Sequence, residues 1–256
     1  MIVSGIDVGG ENVRVIIMND GEILAKGETA TGIKKAEATE QLYDQTLKKV
    51  NLRRKDIGRV VATGSASKRV AFADGEIPDA TADARGINML VPSARTIIDI
   101  GAEEGRAIKI SPEGRVLDFA INEKCAAGSG AFIEAMSRAL ETPIGEMGPL
   151  ANKSDREIHL NAQCAIFAES EVVGLIHAQT EKKDISKAIH DAIASRMVSL
   201  IRRIGVNEDV VLIGGVARNP GFVNAVKKQL GLEKLYIPDD PEYGMAVGAA
   251  VVAAEE

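Results

Sequence analysis

Short, largely apolar segments open the chain and predict three consecutive β-strands, at residues 2–8, 13–18 and 22–28. The Asn19-Asp20-Gly21 triplet between the last two is typical of a hairpin turn. Apolar residues at helical spacing then predict a helix over 36–50, and a short apolar run predicts a buried strand over 59–63. A helix-like stretch covers 84–90. The first part of the chain is therefore expected to be an antiparallel meander followed by α/β elements.

The same order of patterns begins again further along the chain. Three more strands are predicted, at 96–100, 106–110 and 115–121. Helices are predicted over 130–141, 164–178, 184–203, 222–230 and 241–254. The strand predicted at 209–215 is apolar throughout, which is typical of a buried parallel strand, and the last helix is rich in small residues that allow close packing. The repetition of pattern, without repetition of sequence, predicts a duplicated α/β architecture.

The composition indicates a folded globular protein and argues against nucleic-acid and membrane partners. The 256 residues are 45% hydrophobic and 27% charged, which is typical of a folded globular chain. Lys and Arg number 31 against 37 Asp and Glu, so the net charge is −6, and with 3% aromatic residues a nucleic-acid partner is not expected. No apolar run reaches the ~18 residues that span a bilayer, so no membrane partner is expected. The first residues lack a basic leader, which predicts a cytoplasmic protein.

Two predicted turns each contain an aspartate followed two residues later by a glycine, and we call them the Asp-x-Gly corners. Asp7 stands in Gly5-Ile-Asp-Val-Gly9-Gly10, and Asp99 stands before Gly101 at the corresponding point of the second meander. Glycines let backbone N–H groups approach an anion, and carboxylates hold water on Mg²⁺. An ordinary hairpin with a solvated Asp explains one such corner. Two of them favour a site in which both aspartates face a magnesium-bound phosphate across a cleft.

A glycine pair marks a third candidate site. Gly214 and Gly215 follow the apolar strand and precede the helix at 222–230, an arrangement that suits close approach of a nucleoside. The pair does not form the Gly-x-Gly-x-x-Gly pattern of a dinucleotide site, and the chain contains no Walker A sequence.

The two cysteines, Cys125 and Cys164, are each predicted at or near the N-terminus of a helix, where the thiolate form is favoured. Two buried, inert thiols are the simplest interpretation. A redox-active pair is another. A third is an iron–sulfur cluster between the subunits of a symmetric dimer, because two chains supply the four thiolates that a cluster takes.

Several motifs together resemble the activators of 2-hydroxyacyl-CoA dehydratases and the ATPase subunits of benzoyl-CoA reductase, the BadF/BadG/BcrA/BcrD type of ATPase. The motifs are Gly5-Ile-Asp-Val-Gly, Ile98-Asp-Ile-Gly, Lys124-Cys-Ala-Ala-Gly-Ser-Gly, Cys164 with Phe167-Ala-Glu-Ser-Glu, His190 with Ala194-Ser-Arg, and Gly214-Gly-Val-Ala-x-Asn. The resemblance runs from about residue 3 to residue 251. The cysteine motifs are specific, whereas the Asp-x-Gly corner is shared across the wider actin-like fold.

The resemblance implies a fold and an activity. The fold is the α/β duplicated actin-like ATPase (ASKHA, ribonuclease H-like), with two lobes around a nucleotide cleft. Residues 1–94 with 241–256 would form the first lobe, and 95–240 the second, which carries the cysteines. The chain would hydrolyse ATP and drive a low-potential electron into a 2-hydroxyacyl-CoA dehydratase or benzoyl-CoA reductase component. It would work as a homodimer, or as a heterodimer with a similar subunit, with ferredoxin or flavodoxin as electron source.

The resemblance also implies cofactors and their ligands. Asp7, Asp99 and Glu103 would be catalytic, and the two aspartates would hold Mg²⁺ through water. Cys125 and Cys164 of each subunit would bind one shared 4Fe–4S cluster. ATP or ADP would be bound by Gly9, Gly10, Glu11, Asn12, Gly101, Ala102, Gly128, Ser129, Gly130, Gly214, Gly215, Val216 and Asn219.

The chain departs from the activator pattern at both corners. Activators usually carry Gly-Gln-Asp where this chain has Ala102-Glu103-Glu104, so Glu103 is expected to take the place of the Gln and orient the attacking water. The sequence Ala-Glu-Glu-Gly-Arg at 102–106 is more similar to the reductase type of subunit. Activators often carry Ser-Thr where this chain has Gly10-Glu11-Asn12, so Asn12 is expected to replace a hydroxyl near the phosphates. Because of these two departures, a weakly hydrolytic regulatory subunit is an alternative interpretation of the chain.

A kinase of the same fold, acting on a sugar or small acid, is the other alternative. It would need an aspartate facing its substrate, for which Asp79 and Asp83 are the loose candidates. Neither lies in a convincing motif, and both are expected to be solvated acids. The kinase interpretation also leaves the two cysteines unexplained.

Overall fold

The first three predicted strands form the expected antiparallel meander. In the computed structural model, which describes residues 1–122, 126–161 and 164–255, these strands are β1 (Ile2–Val8), β2 (Asn12–Asn19) and β3 (Glu22–Ala30). Two parallel strands, β4 (Arg59–Thr63) and β5 (Gly75–Glu76), extend the sheet on the other side of β1. The strand order is β3-β2-β1-β4-β5.

The second sheet repeats this order. Its strands are β6 (Thr96–Ile100), β7 (Gly105–Ile110), β8 (Val116–Asn122) and β9 (Val210–Ile213), arranged β8-β7-β6-β9. β7 is antiparallel to β6 and β9 is parallel to it, as β2 and β4 are to β1. A parallel bridge from Val211 to Tyr236 stands where β5 stands in the first sheet. The predicted duplication of the α/β pattern is confirmed.

Helices complete each unit. The described helices are α1 (Lys35–Lys49), α2 (Asp79–Leu90), α3 (Gly130–Ala139), α4 (Ile144–Ala151), α5 (Ala165–His177), α6 (Lys182–Ile204), α7 (Pro220–Leu230) and α8 (Gly244–Glu255). The chain divides into a unit of Met1–Ala94, Ile110–Leu117 and Glu242–Glu256, and a unit of Arg95–Lys109 and Asp118–Pro241.

Two predicted helices begin more than two residues from their position in the structure, and a third helix, α4, has no predicted counterpart. α2 begins at Asp79, five residues before the predicted stretch at 84–90. α8 begins at Gly244 because Pro241–Tyr243 form a separate 3₁₀ turn. α4 was not predicted, because glycine and proline make up three of its eight residues and both are poor helix formers. Tertiary packing holds α4 in place: the hydroxyl of Ser186 donates to the carbonyl of Met147 at 2.7 Å.

The sheet of the first unit is covered on both faces. Ile6, Val8 and their neighbours pack against α1 on one face, whereas Val3 packs with α8 on the other. The α8 side is very close, because a Cβ at Gly5 would collide with the backbone of Ala246. The expectation that the last helix packs closely through small residues is confirmed.

The second unit has one large core. Residues of β6, including Ile98 and Ile100, pack with α3, α6 and α7, and the buried stripe of α6 runs from Ile185 to Ile204. No helix among the described residues is long and apolar enough to cross a membrane. This core fixes the strand ends and helix starts on which the candidate site is built.

Candidate functional site

An aspartate and an arginine face each other in both meanders. Asp7 on β1 lies opposite Arg14 on β2, and Asp99 on β6 lies opposite Arg106 on β7. Both aspartates are buried, with 1% and 4% of their surface exposed. The two arginines lie outside the motifs that predict the site. The signal was available, since each arginine stands seven residues after its aspartate in both halves.

The two pairs differ in geometry. Arg106 holds one oxygen of Asp99, with Nη2 at 2.5 Å and Nε at 3.1 Å from Oδ2. Arg14 keeps its Nη1 at 3.7 Å from Asp7 Oδ2, while its Nη2 donates to Glu28 at 2.8 Å. A buried charge pair orients a carboxylate at the cost of desolvating both groups. Asp99 is therefore oriented by an arginine more firmly than Asp7 is.

A glycine with positive φ faces each aspartate from the neighbouring parallel strand. Gly64 follows β4 with φ +91°, and Gly214 follows β9 with φ +85°. A Cβ at Gly64 would collide with Asp7 Oδ1, and one at Gly214 would collide with Asp99 Oδ1. Only glycine permits both the backbone angle and the close approach. Gly64 was missed in the sequence, although a glycine directly after an apolar strand occurs in both halves.

The loops that follow the two aspartates share one turn geometry. The N–H of Gly9 donates to Asn12 O at 3.0 Å, and the N–H of Gly101 donates to Glu104 O at 2.9 Å. Glu11 is exposed in the first turn, as Glu103 is in the second, and Gly10 and Ala102 are half-buried. Thr31, on the loop after β3, stabilises the first turn. Its hydroxyl donates to Gly9 O and its backbone N–H donates to Glu11 O.

The start of α3 is hydrogen-bonded to the second turn. The N–H of Gly130 donates to Gly101 O at 2.9 Å, and the N–H of Ala131 donates to Ala102 O at 2.8 Å. Val216 also lies beside Gly130, since a Cβ there would come within 3.3 Å of its side chain. Four of the predicted nucleotide-binding residues, Gly101, Ala102, Gly130 and Val216, are thus neighbours in the structure.

The remaining residues predicted at this site lie around those four. Gly128 belongs to the 3₁₀ turn Ala126–Gly128, and Ser129 is the buried N-cap of α3. Gly215 begins a second 3₁₀ turn, Gly215–Arg218, that ends at Asn219. The Asn219 side chain caps α7 by accepting from the N–H groups of Gly221 and Phe222 at 3.0 and 3.2 Å.

Cys164 is the N-cap of α5, as the helix prediction implied, and its thiol is half-buried and free of any disulfide. Cys125 lies outside the described residues. The backbone N–H of Asn161, three positions before Cys164, donates to Glu171 on α5 at 2.8 Å. Among the residues that the structure describes, no cluster of three or more His, Cys, Asp or Glu side chains could hold a metal ion.

The helix α5 also presents apolar side chains to solvent. Ile166 is 72% exposed and Phe167 63%, and Val173 and Ile176 are exposed further along the helix. Exposed apolar surface that is contiguous is typical of an interaction site.

Asp79 and Asp83 are not the solvated acids that the sequence analysis expected. Asp79 begins α2, and its Oδ1 accepts from the N–H of Gly64 at 2.9 Å and from the hydroxyl of Thr63 at 3.2 Å. Asp83 is fully buried one turn later. The prediction failed because α2 begins at Asp79, which turns both side chains toward the interior of the first unit.

The site therefore defines a class of protein: an α/β chain with two copies of one sheet order, each with an Asp-x-Gly corner and a facing glycine. A family model for the BadF/BadG/BcrA/BcrD ATPase family matches residues 4–253, so the chain belongs to this family. A curated relative, the 2-hydroxyisocaproyl-CoA dehydratase activator of Clostridioides difficile, is 36% identical over 256 residues, covering 100% of this chain and 96% of its own.

Solved structures agree with the family. The activator of the 2-hydroxyisocaproyl-CoA dehydratase from Clostridium difficile with bound ADPNP matches with a TM-score of 0.92 and 35% identity, over 100% of this chain and 95% of its own. Component A of the Acidaminococcus fermentans (R)-2-hydroxyglutaryl-CoA dehydratase matches with a TM-score of 0.95 and 33% identity, over 100% and 98%. A sugar kinase, the ROK family glucokinase from Streptomyces griseus, shares the fold alone, with a TM-score of 0.62 at 13% identity over 100% of both chains. The expected actin-like, duplicated fold is confirmed.

Proposed function

We propose that this chain is an ATP-hydrolysing activator that delivers a low-potential electron to an acyl-CoA dehydratase. The observation that carries the proposal is the similarity, over the whole chain, to dehydratase activators, one of which was solved with bound ADPNP. The glucokinase likeness concerns the fold alone, so it gives the kinase alternative no further support. A benzoyl-CoA reductase component is the other partner class that the sequence resemblance implies.

The two Asp-x-Gly corners are the proposed binding residues for magnesium and nucleotide, with residues 1–94 and 241–256 as one lobe and 95–240 as the other. The residues of the two corners are chemically suited to bind a magnesium-bound nucleotide. Buried carboxylates suit a hydrated Mg²⁺, and glycine turns leave backbone N–H groups open to phosphate oxygens. In phosphoryl transfer the protein mainly positions groups, so Glu103, exposed on the second turn, is the proposed water-orienting residue.

The proposed iron–sulfur cluster would be held by Cys125 and Cys164 of two chains. Cys164 fits this role, because it is the N-cap of α5 and its thiol is half-buried and outside any disulfide. The exposed apolar side chains of α5, beginning with Ile166 and Phe167, would pack against the second copy beside the cluster. When bound, the cluster supplies one-electron redox chemistry, with ferredoxin or flavodoxin as the proposed donor.

The contact between the second turn and α3 offers a route from nucleotide to cluster. Gly101 and Ala102 accept hydrogen bonds from the first two N–H groups of α3, which begins five residues after Cys125. A shift of this turn on binding phosphate would carry the start of α3 with it. The same turn would thereby bind the nucleotide and position one of the cysteine-bearing segments.

The test is the iron and sulfide content of protein purified without oxygen. We expect about four of each per dimer in the wild type, and a large loss in Cys125→Ser and Cys164→Ser, because each chain would lose half of its ligands. Nucleotide affinity should change little in these variants, since neither thiol is a proposed nucleotide ligand. Ser170→Ala is the matched control, because it changes an exposed hydroxyl on the same helix as Cys164.

Two results would contradict the proposal. A wild-type preparation without iron that still hydrolyses ATP would leave a regulatory ATPase as the better description. A cluster that persists in Cys164→Ser would show that the ligands were assigned wrongly. Electron transfer to a purified 2-hydroxyacyl-CoA dehydratase, compared with a benzoyl-CoA reductase component, would then identify the partner class.

A further inference from the structure

The glycine that faces Asp7 is held by a carboxylate. Gly64, directly after β4, donates its backbone N–H to Oδ1 of Asp79 at 2.9 Å. The buried hydroxyl of Thr63 lies 3.2 Å from the same oxygen. Asp79 is the first residue of α2 and is half-buried, so its carboxylate is partly withdrawn from water. Asp79 therefore restrains the peptide that brings Gly64 against the Asp7 side chain.

In the second unit a backbone carbonyl takes the place of this carboxylate. Gly214 follows β9 as Gly64 follows β4, and its N–H donates to Pro241 O at 2.9 Å. Pro241 comes after the bridge at Tyr236 that corresponds to β5, just as Asp79 comes after β5. The acceptor is therefore main chain in one unit and a side chain in the other. A substitution can remove the side-chain acceptor alone, which makes its role testable.

The turn after β4 connects this carboxylate to the end of β1. Its first residue, Gly64, donates to Asp79, and the N–H of Ala66 donates to Val8 O at 3.1 Å. Val8 directly follows Asp7, so one short turn joins the start of α2 to the aspartate of the first Asp-x-Gly corner. When the bond to Asp79 is lost, Gly64 is free to move away from the Asp7 carboxylate, and that side chain gains conformational freedom.

We propose that Asp79 is a positioning residue for the first Asp-x-Gly corner, acting on Asp7 through Gly64. The inference rests on the proposed function, because it takes this corner to bind magnesium and nucleotide. Asp79 touches neither ligand. Its carboxylate fixes the Gly64 peptide, and Gly64 limits the orientation of the Asp7 side chain before the ligand arrives. This role requires an acceptor oxygen, whereas the kinase alternative requires a carboxylate that removes a proton from the substrate.

The experiment compares Asp79→Ala with Asp79→Asn. Alanine removes the acceptor, whereas asparagine keeps an oxygen at the same reach. The measurements are the dissociation constant of magnesium–ADP by calorimetry, the rate of ATP hydrolysis, and amide hydrogen exchange at Gly64 in the nucleotide-free protein. We expect Asp79→Ala to bind magnesium–ADP about tenfold more weakly, as for the loss of one hydrogen bond, and to exchange the Gly64 amide faster. Asp79→Asn should stay within about threefold of the wild type in all three measurements, because it keeps a neutral acceptor.

Asp184→Ala is the matched control. Asp184 also lies in the first turn of a helix, α6, where its Oδ1 accepts from the hydroxyl of Ser154 at 2.6 Å, and it belongs to neither corner. This variant should lower stability without changing the affinity for magnesium–ADP.

The inference is overturned if Asp79→Ala keeps wild-type affinity or wild-type exchange at Gly64, or if Asp184→Ala weakens binding equally. It is also overturned if Asp79→Asn binds as weakly as Asp79→Ala. An Asp79→Asn variant that binds magnesium–ADP normally but no longer hydrolyses ATP would show that the carboxylate acts on the reacting atoms, which contradicts a positioning role. If the wild type itself does not bind magnesium–ADP, the proposed function fails, and exchange at Gly64 in Asp79→Ala then decides separately whether Asp79 holds this glycine.

Discussion

A buried ion pair joins two neighbouring strands of the second unit, where Asp99 and Arg106 lie opposite each other. The side chains of Asp99 and Arg106 are each 6% exposed, and two nitrogens of Arg106 contact the same carboxylate oxygen. A buried carboxylate whose partner is removed keeps its desolvation cost and loses the compensating charge. The pair is therefore expected to matter more for stability than an exposed pair such as Arg138 with Glu134.

We predict that Arg106→Met lowers the free energy of unfolding by about 3–5 kcal/mol, because it leaves the charge of Asp99 buried without its partner. The double variant Asp99→Asn with Arg106→Met should recover a large part of this loss, since no buried charge remains. Urea denaturation of the two variants measures both values. Arg138→Met is the control for an exposed pair and should change stability by less than about 1 kcal/mol. A double variant that is no more stable than Arg106→Met would refute the explanation.

At the scale of elements, close helix packing explains why glycine occupies several positions outside the predicted site motifs. Gly248 of α8 and Gly86 of α2 face each other's helix so closely that a Cβ at either would collide with backbone atoms. α8 in turn lies against β1, where Gly5 makes the same kind of approach. Small residues in α8 are therefore a packing requirement of the first unit, and the motif Gly5-Ile-Asp-Val-Gly9 combines that requirement with the predicted phosphate turn.

We predict that Gly248→Ala destabilises the protein by at least about 1–3 kcal/mol, because the added methyl group meets the carbonyl of Ala82 in a contact that cannot relax without moving α2. Gly145→Ala is the matched control. Gly145 also lies in a helix, but nothing lies within 4 Å of an added Cβ, so this variant should be neutral or more stable by up to about 1 kcal/mol. Thermal unfolding of both variants provides the comparison, and equal effects would show that helix propensity rather than packing decides.

The whole molecule is organised by duplication of one pattern. The same strand order, the same Asp-to-Arg spacing and the same glycine after a parallel strand occur in both units. One feature of the second unit is not explained by the duplication. The helix α5, which begins after Cys164, exposes large apolar side chains on its surface. A second copy of the chain is the proposed occupant of this surface.

We predict that Phe167→Asp weakens dimerisation by about thirtyfold or more, as for loss of an aromatic residue at the centre of an interface. Light scattering over a range of concentrations measures the dimer, and the iron content should fall with it. Ile33→Asp is the matched control, because Ile33 is 99% exposed on the first unit and lies outside the proposed interface. A wild type that is monomeric at all concentrations, or a Phe167→Asp variant that dimerises normally, would contradict the prediction.

Most of the elements could be predicted because their apolar periodicity reflects burial directly. Strands β1, β4 and β6 have the predicted bounds, and the long stripe of α6 is buried as its spacing indicates. α4 could not be predicted, because its glycines and proline disfavour a helix and its stability depends on packing against α3, α6 and α7. The burial of Asp83 could not be predicted either, because it depends on where α2 begins and on which residues pack against that helix.

The sequence by itself determined the duplicated α/β pattern, the two Asp-x-Gly corners and the placement of Cys164 at a helix start, because each depends on residue spacing over a few positions. Only the tertiary structure decided which residues surround those corners. Arg106 reaches Asp99 across a strand pair, Gly214 reaches it from a parallel strand more than a hundred residues away, and α3 begins on the turn at Gly101. Such contacts join distant parts of the chain, and they are set by sheet register and core packing rather than by local pattern.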